Sequence, residues 1–456
     1  MIFTLLRCWL ALEIACFIFF KLFIIRFIQH RDPQKIPPYP TQQLDAPRHH
    51  FMLRILHRFA HIHSHLPEAA VTLKIKQFLS AWFFNVSFSS ILKGNVQEFL
   101  AWAMYSKNPD ELFRQELAEI GQFLSYVDKK HGITFKPGYD ESVKCARLSC
   151  EPVDPLYRPL ALYVKGFVFF ALTHVILRFV CGFTRVRARN GVAFWVRRPA
   201  STSTLTESPP SPPAPVLFFH GIAPGGFFAY LPFLNLLLSG RGGLLFENNS
   251  VASVLSLTPN TEAEVLEAVE AAMDEFFPPK EKFVVAGHSV GSCCVTWVHR
   301  ALPNRIETIL LLDPVSLFLS NATVCTNFLH KERLGTVMEN VIWFFASTEL
   351  GTLTYLRRHF FWYRNEMWLE DVGDDIEVVV FLAAKDEIIH ARDVREGIAK
   401  CGRKVKVIYC DNCRTRNFWW SRNVGLKFKR AWIGKRAIEF TYFGFLTVVL
   451  GFTKVA

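Results

Sequence analysis

Apolar positions begin as one nearly continuous stretch, IFTLLRCWLALEIACFIFFKLFIIRF over residues 2–27, a length that suits a membrane-spanning helix. Arg7, Glu13, Lys21 and Arg26 interrupt it, and an acid near the middle is costly in hydrocarbon. The stretch is expected to span with snorkelling ends or to lie partly in the interface. It reads as an uncleaved anchor over 1–30, because the clean apolar core and small-residue cleavage site of a signal peptide are missing. Arg26, Arg31 and Lys35 flank its far end, which places the bulk of the chain in the cytosol. Residues 40–183 read as a helical region. Val96, Phe99, Leu100 and Ala103 share one helix face, and Asn108-Pro109-Asp110 precedes an amphipathic helix through Leu124. The region ends in a second apolar segment, LALYVKGFVFFALTHVILRFVCGF over 160–183, containing Lys165, His174 and Arg178. It is expected to be an interfacial helix, since a second span would move everything downstream across the membrane.

From residue 184 the texture changes to short apolar runs separated by polar turns. Asn190-Gly191 sits between two such runs and signals a hairpin. STSTLTESPPSPPAP over 201–215 is an exposed connection. Beyond it, VLFF (216–219), GLLFE (243–247), FVVA (283–286), ETILLL (307–312), EVVVFLA (377–383) and VKVIY (405–409) read as strands with helices between them. One helix, TEAEVLEAVEAAMDEF, opens with Thr261 as its cap and acids in its first turn. Continuous apolar strands alternating with helices predict an α/β fold, a mostly parallel sheet covered on both faces, over 184–410. Residues 314–370 interrupt the alternation as a helical cap, whose aromatic-rich end LRRHFFWYRNEMWLED suits an acyl tunnel, a bilayer contact or plain core packing.

Composition excludes disorder: 51% of residues are hydrophobic and 20% charged, with mean hydropathy +0.19. The net charge of +12 is mostly a property of the tail over 411–456, because nine Lys/Arg and one acid lie from Arg414 onward. No basic face on a folded module points to nucleic acid. The 11 Cys form no regular framework and are expected to be reduced; Cys410-x-x-Cys413 lacks the partners of a metal knuckle. His49, His50, His57, His61, His63 and His65 read as a polar helix face running into a loop. No metal and no cofactor is expected.

Ser289 lies in Gly287-His288-Ser289-Val290-Gly291, directly after a strand and before a helix. This is the setting of a nucleophile elbow: glycines flank the Ser because a Cβ there would collide with neighbouring backbone, and the helix start behind it favours developing negative charge. Phe219-His220-Gly221-Ile222-Ala223-Pro224-Gly225-Gly226 follows the first parallel strand. An oxyanion hole needs two backbone N–H groups; Val290 and Ile222 are the candidates, with Gly221 shaping the turn and His220 holding the loop.

Residues 214–410 thus resemble the α/β-hydrolase superfamily, specifically its membrane-attached lipase- and esterase-like members, on H-G-x-x-x-G-G followed by G-H-S-V-G. The resemblance implies an acid after the next-to-last strand, which is Asp386 in LAAKDEIIH; Asp313 in LLLDPV is the alternative. It also implies a base His after the last strand, yet no His follows His390. Three explanations stand: a catalytically dead relative, substitution by His390 or His359, or a shifted reading frame from Arg414. In that alternate frame the tail permits His-Ala-Gln-Phe-Leu-Val-Val, with only the Leu and one Val forced. The expected function is hydrolysis of a lipid-like ester through an acyl-enzyme on Ser289, at an endomembrane such as the endoplasmic reticulum or a lipid droplet. Partners are then membrane lipid and the ester substrate. The alternative is a membrane-bound pseudoenzyme that binds lipid or protein; acyl transfer on the same machinery differs only in the acceptor. Oligomeric state is not legible in the sequence, and sequons at Asn85, Asn248 and Asn321 matter only in a lumenal protein.

Overall fold

Branched and aromatic residues at consecutive positions make strands that need cover on both sides, and here both sides are covered. The structure, a computed structural model, describes residues 2–30, 48–198, 213–254, 256, 258–330 and 335–413. Most of the Pro/Ser-rich connection and the tail from Arg414 lie outside the described residues. Eight strands form one sheet: β1 (Thr184–Arg187), β2 (Ala193–Arg197), β3 (Val216–Phe219), β4 (Gly243–Phe246), β5 (Phe283–His288), β6 (Ile306–Leu312), β7 (Glu377–Ala383) and β8 (Lys406–Cys410). Their order is β1-β2-β4-β3-β5-β6-β7-β8. β2 is antiparallel to β1 and β4, and the remaining pairs are parallel. Gly191, at φ 91°, supports the β1–β2 turn.

Alternation along each strand sorts side chains into two cores. Leu217, Val285, Leu311 and Val380 face one side, Phe218, Ala286, Leu310 and Phe381 the other. β5 continues two residues past the apolar run, pairing Gly287 with Leu311 and His288 with Leu312, so the strand ends directly at Ser289.

The helices are α1 (Ile2–Phe19), α2 (Ile25–His30), α3 (Arg48–Ile62), α4 (Glu68–Trp82), α5 (Lys93–Tyr105), α6 (Arg114–His131), α7 (Leu160–Val175), α8 (Leu231–Leu238), α9 (Glu262–Phe276), α10 (Gly291–Ala301), α11 (Thr323–Phe328), α12 (Val337–Ile342), α13 (Leu350–Arg358), α14 (Trp362–Asn365) and α15 (Ala391–Lys400). α6 runs past Leu124 to His131, where Gly132 in the left-handed region ends it. α3 to α6 share one continuous apolar core with the sheet, including Phe51, Trp82 and Trp102 beside Leu217 and Val285. The aromatic-rich end of 314–370 is part of that packing: Phe51 meets Trp362 and Trp368 at ring-centroid distances of 5.7 Å. The buried Glu366 carboxylate pairs with Arg58 and accepts the Ser320 N–H at 3.0 Å.

Two helical stretches, Phe3–Gln29 and Leu160–Val180, are long and apolar enough to cross a membrane. The acid inside the first has a partner in the second. Glu13 Oε1 accepts the Leu160 N–H at 2.8 Å and the Tyr157 O–H at 3.1 Å, so its charge sits at the start of α7 where unpaired N–H groups collect. Phe20, Ile25 and Ile28 pack on Val153, Leu350 and Leu353, tying the far end of the first stretch to the body.

Candidate functional site

Four parallel strands, β3, β5, β6 and β7, end on the same edge of the sheet, and each delivers one part of the site. β5 delivers Ser289. Its φ is 50°, in the left-handed region that non-glycine residues rarely occupy, and its N–H is held by Leu312 O at 2.9 Å. The turn forces glycine on both sides. A Cβ on Gly287 would lie 2.6 Å from Val295 Cγ2, and one on Gly291 would lie 2.3 Å from Phe219 O. Ser289 is half-buried, whereas His288 and Val290 beside it are buried. Val290 opens α10, so the positive end of that helix lies behind the Ser289 hydroxyl. Ser292 Oγ donates to Ser289 O at 2.5 Å and accepts the Ser316 N–H at 3.1 Å, which braces the bend.

β3 delivers the loop 220–226. Gly221 abuts the elbow so closely that a Cβ would stand 3.0 Å from Ser289 Cβ and 2.7 Å from His288 Nδ1. His220 is buried and neutral: its Nε2 accepts the Asn248 N–H at 3.0 Å, so Nδ1 carries the proton and donates to Gly221 O at 2.8 Å. Burial lowers its pKa. Tyr230 joins the loop to the elbow. Its oxygen accepts the Gly221 N–H at 2.8 Å and bonds His288 Nδ1 at 2.7 Å. Burial pushes the His288 imidazole down to about 3 and the Tyr230 phenol up, so this chain is uncharged. Among the described residues, the N–H groups of Ile222 and Val290 have no protein acceptor, while those of Gly221, Ala223 and Ser289 do.

β6 and β7 deliver the two candidate acids, and their surroundings differ. Asp313 is buried, 2% exposed, and its Oδ1 accepts the Ala383 N–H at 2.6 Å, which ties the ends of β6 and β7 together. Asp386 is half-buried in a cleft shared with His390, Asp393, Arg395 and Tyr409. Its Oδ1 accepts the N–H groups of Ile388 and Ile389 at 2.7 and 2.6 Å, which fixes the carboxylate's direction. The loop before it is stitched to the end of β8: Ala384 N donates to Cys410 O and Lys385 N to Cys413 O, both at 3.0 Å. The chain leaving β8 therefore passes beside Asp386.

His390 caps α15 with an exposed ring 3.4 Å from Asp393, and His359 ends α13. The stretch after β8 where a base is expected lies outside the described residues beyond Cys413. Cys410 and Cys413 are joined as a disulfide, against the expectation that both are reduced thiols. No cluster of three or more metal-ligating side chains occurs among the described residues. His57 of the polar α3 face bonds the Tyr126 hydroxyl instead.

Sequence reading did not single out Tyr230, which orders the loop from a helix start some ten residues on. Its sole local signal is a Tyr just after the Gly-rich run.

No family model matches this sequence, and no curated protein matches it. Solved structures are similar over part of the chain. A membrane phospholipase A, described as a bacterial virulence factor, is 11% identical and covers 59% of this chain and 90% of its own, with a TM-score of 0.40. The carboxylesterase CesB of Bacillus subtilis is 11% identical over 59% and 96%, with a TM-score of 0.38. A fungal esterase of Rhizomucor miehei is 17% identical over 60% and 88%, with a TM-score of 0.39. The sheet order with its antiparallel second strand, and the strand–Ser289–helix bend at the centre of that sheet, give this chain the α/β-hydrolase fold.

Proposed function

We propose that the protein is a serine hydrolase acting on the carboxylic ester of a lipid-like substrate. Ser289 attacks the carbonyl and forms an acyl-enzyme that water then cleaves. The carrying observation is the half-buried Ser289 at φ 50°, beside a loop and a helix start whose Ile222 and Val290 N–H groups have no protein acceptor among the described residues. Those two donors are assigned to the oxyanion, and loss of one such donor costs roughly a hundredfold or more in rate. Asp386 is assigned as the acid, because its loop is bonded to the segment leaving β8, where the base belongs. Asp313 is assigned to bracing the strand ends through Ala383.

The lipid-like substrate and membrane attachment rest on the two long apolar helices, and the esterases and lipase among similar structures agree with the reaction class. Cytosolic orientation is assigned from the basic flank of the first helix, Arg26, Arg31 and Lys35, and an endomembrane such as the endoplasmic reticulum or a lipid droplet is assigned as the location.

A second reading, an impaired hydrolase that binds lipid or a partner, is favoured by one feature: the sequence as written holds no His after His390. On that sequence, turnover is expected to be greatly reduced but not zero, since substrate binding and the oxyanion donors act without the base. Hydrolysis of monoacyl and diacyl lipid esters by membrane-reconstituted protein, compared with Ser289→Ala, tests the reading. Release of fatty acid that vanishes in the variant supports it; equal rates in both proteins contradict it. Sequencing the transcript across codons 405–425 separates a shifted frame from a true loss of the His.

A further inference from the structure

The helix α7 and its continuation to Val180 have two faces. The inner face lies on the loop that carries Ile222. The Phe169 ring stacks on Phe228 with centroids 4.5 Å apart and planes 3° from parallel. Thr173 Oγ1 donates to Gly225 O at 3.2 Å. Gly225 sits at φ 73°, and a Cβ there would come within 2.8 Å of Phe169 Cβ, so only glycine admits the helix this close. Gly166 has the same task further along: a Cβ would lie 2.7 Å from Ser253 O. His174 Nε2 lies 3.4 Å from Glu247 Oε1, and the next residue, Asn248, holds His220. The helix therefore touches the loop directly at Gly225 and Phe228, and indirectly at His220.

The outer face is apolar and bare. Val164, Phe167, Val168, Leu172, Val175 and Phe179 are exposed, with Lys165 and Arg178 among them. No acid occurs anywhere from 155 to 206, whereas eight Lys/Arg do. An apolar helix face carrying only cations matches an anionic phospholipid surface. The face is also linked to the first apolar helix, because Glu13 of α1 receives the N–H of Leu160 at the start of α7. α1 exposes Leu10, Ile14 and Phe17 to the same surroundings. Passage of α7 straight through a bilayer would carry the 221–228 loop, with its exposed Pro224 and the Ile222 N–H that has no acceptor among the described residues, toward hydrocarbon, where an unsatisfied donor is costly. Seating in the interface leaves that loop in water.

We propose that α7 is seated in the surface of an anionic phospholipid bilayer by the face bearing Phe167 and Phe179, and that its opposite face then holds the 221–228 loop in place, so that membrane contact organises the candidate oxyanion donor. The second half rests on the serine-site reading; the seating of the helix does not. Binding acts here by favouring one arrangement of a loop that the helix already touches.

The test uses the full chain in vesicles of phosphatidylglycerol and phosphatidylcholine doped with a photoactivatable phosphatidylcholine. Lipid cross-links are expected at Phe167, Leu172 and Phe179 but not at Phe169 or Thr173. Amide exchange across 221–228 is expected to be several-fold slower in the native protein than in Phe167→Glu/Phe179→Glu, with equal exchange in β5 showing that both are folded. Phe228→Ala, which leaves the outer face intact, is expected to keep the cross-links and lose the protection; it carries the test if the double variant does not fold. Cross-links around the whole circumference of α7, none on it, or exchange unchanged by either variant would overturn the proposal. Seating and protection without any reactivity of Ser289 would retain the docking and remove the serine-site reading alone.

Discussion

Gly291 stands where a β-carbon would lie 2.3 Å from Phe219 O and 2.8 Å from His220 O, both backbone atoms with little room to retreat. Gly291→Ala is therefore expected to push α10 away from β3, cost about 1–3 kcal/mol or more, and displace Val290 from the elbow. A lower denaturation midpoint together with lost reactivity at Ser289 checks this, and an unchanged midpoint contradicts it. His288 and His220 make a pH prediction. Burial lowers both, His288 to about 3 from an ordinary 6.5. An unfolded imidazole gains a proton below about pH 6.5 while the folded one does not, so acid favours the unfolded chain. Stability from these groups is full above that pH and falls below it; for His288 the fall continues toward pH 3, by about 1.4 kcal/mol per pH unit. Melting temperatures through this range should show the slope, and His288→Gln should flatten it. The elbow was legible because its demands are local: glycines, a strand before and a helix after. Tyr230 was not, because the Gly221 and His288 groups it bonds come together only in the fold.

At the level of elements, the strands announce themselves as unbroken apolar runs because the parallel sheet is buried on both faces. α9 is equally explicit. Thr261 Oγ1 accepts the Glu264 N–H at 3.2 Å, and Glu264 reaches back to the Thr261 N–H at 2.7 Å. Thr261→Ala should cost about 1 kcal/mol and lower the melting temperature without altering Ser289 reactivity; a change in reactivity would mean that α9 does more than support the sheet. Glu13 shows where periodicity runs out. Within its own helix it reads as a costly interruption, and its reason lies in the N–H of Leu160, well over a hundred residues away. The length of α6 was misjudged for a simpler reason: the stop is set by Gly132, after a polar turn that hides the continuing helix.

At the scale of the molecule, the helices before the sheet are not an appendage. Phe51, Trp82, Phe99 and Trp102 belong to the same core as β3, β5 and β6, and Arg58 pairs with the buried Glu366 between β6 and β7. A chain beginning at Thr184 would bare that core and leave Glu366 without its cation, which is strongly destabilising for a buried charge. Such a truncation is expected to lack a cooperative melting transition and to bind a hydrophobic dye; a normal transition would show that the sheet folds alone. The proposed chemistry converges on Ser289 at the end of β5, with the Ile222 and Val290 N–H groups assigned to the oxyanion. The most direct measurement is to treat the full protein in membranes with a fluorophosphonate and locate the adduct by mass spectrometry. The account predicts a phosphonylated Ser289, slow to form on the sequence as written and missing in Ser289→Ala; an unmodified Ser289 after exhaustive exposure, or labelling that persists in the variant, would contradict it.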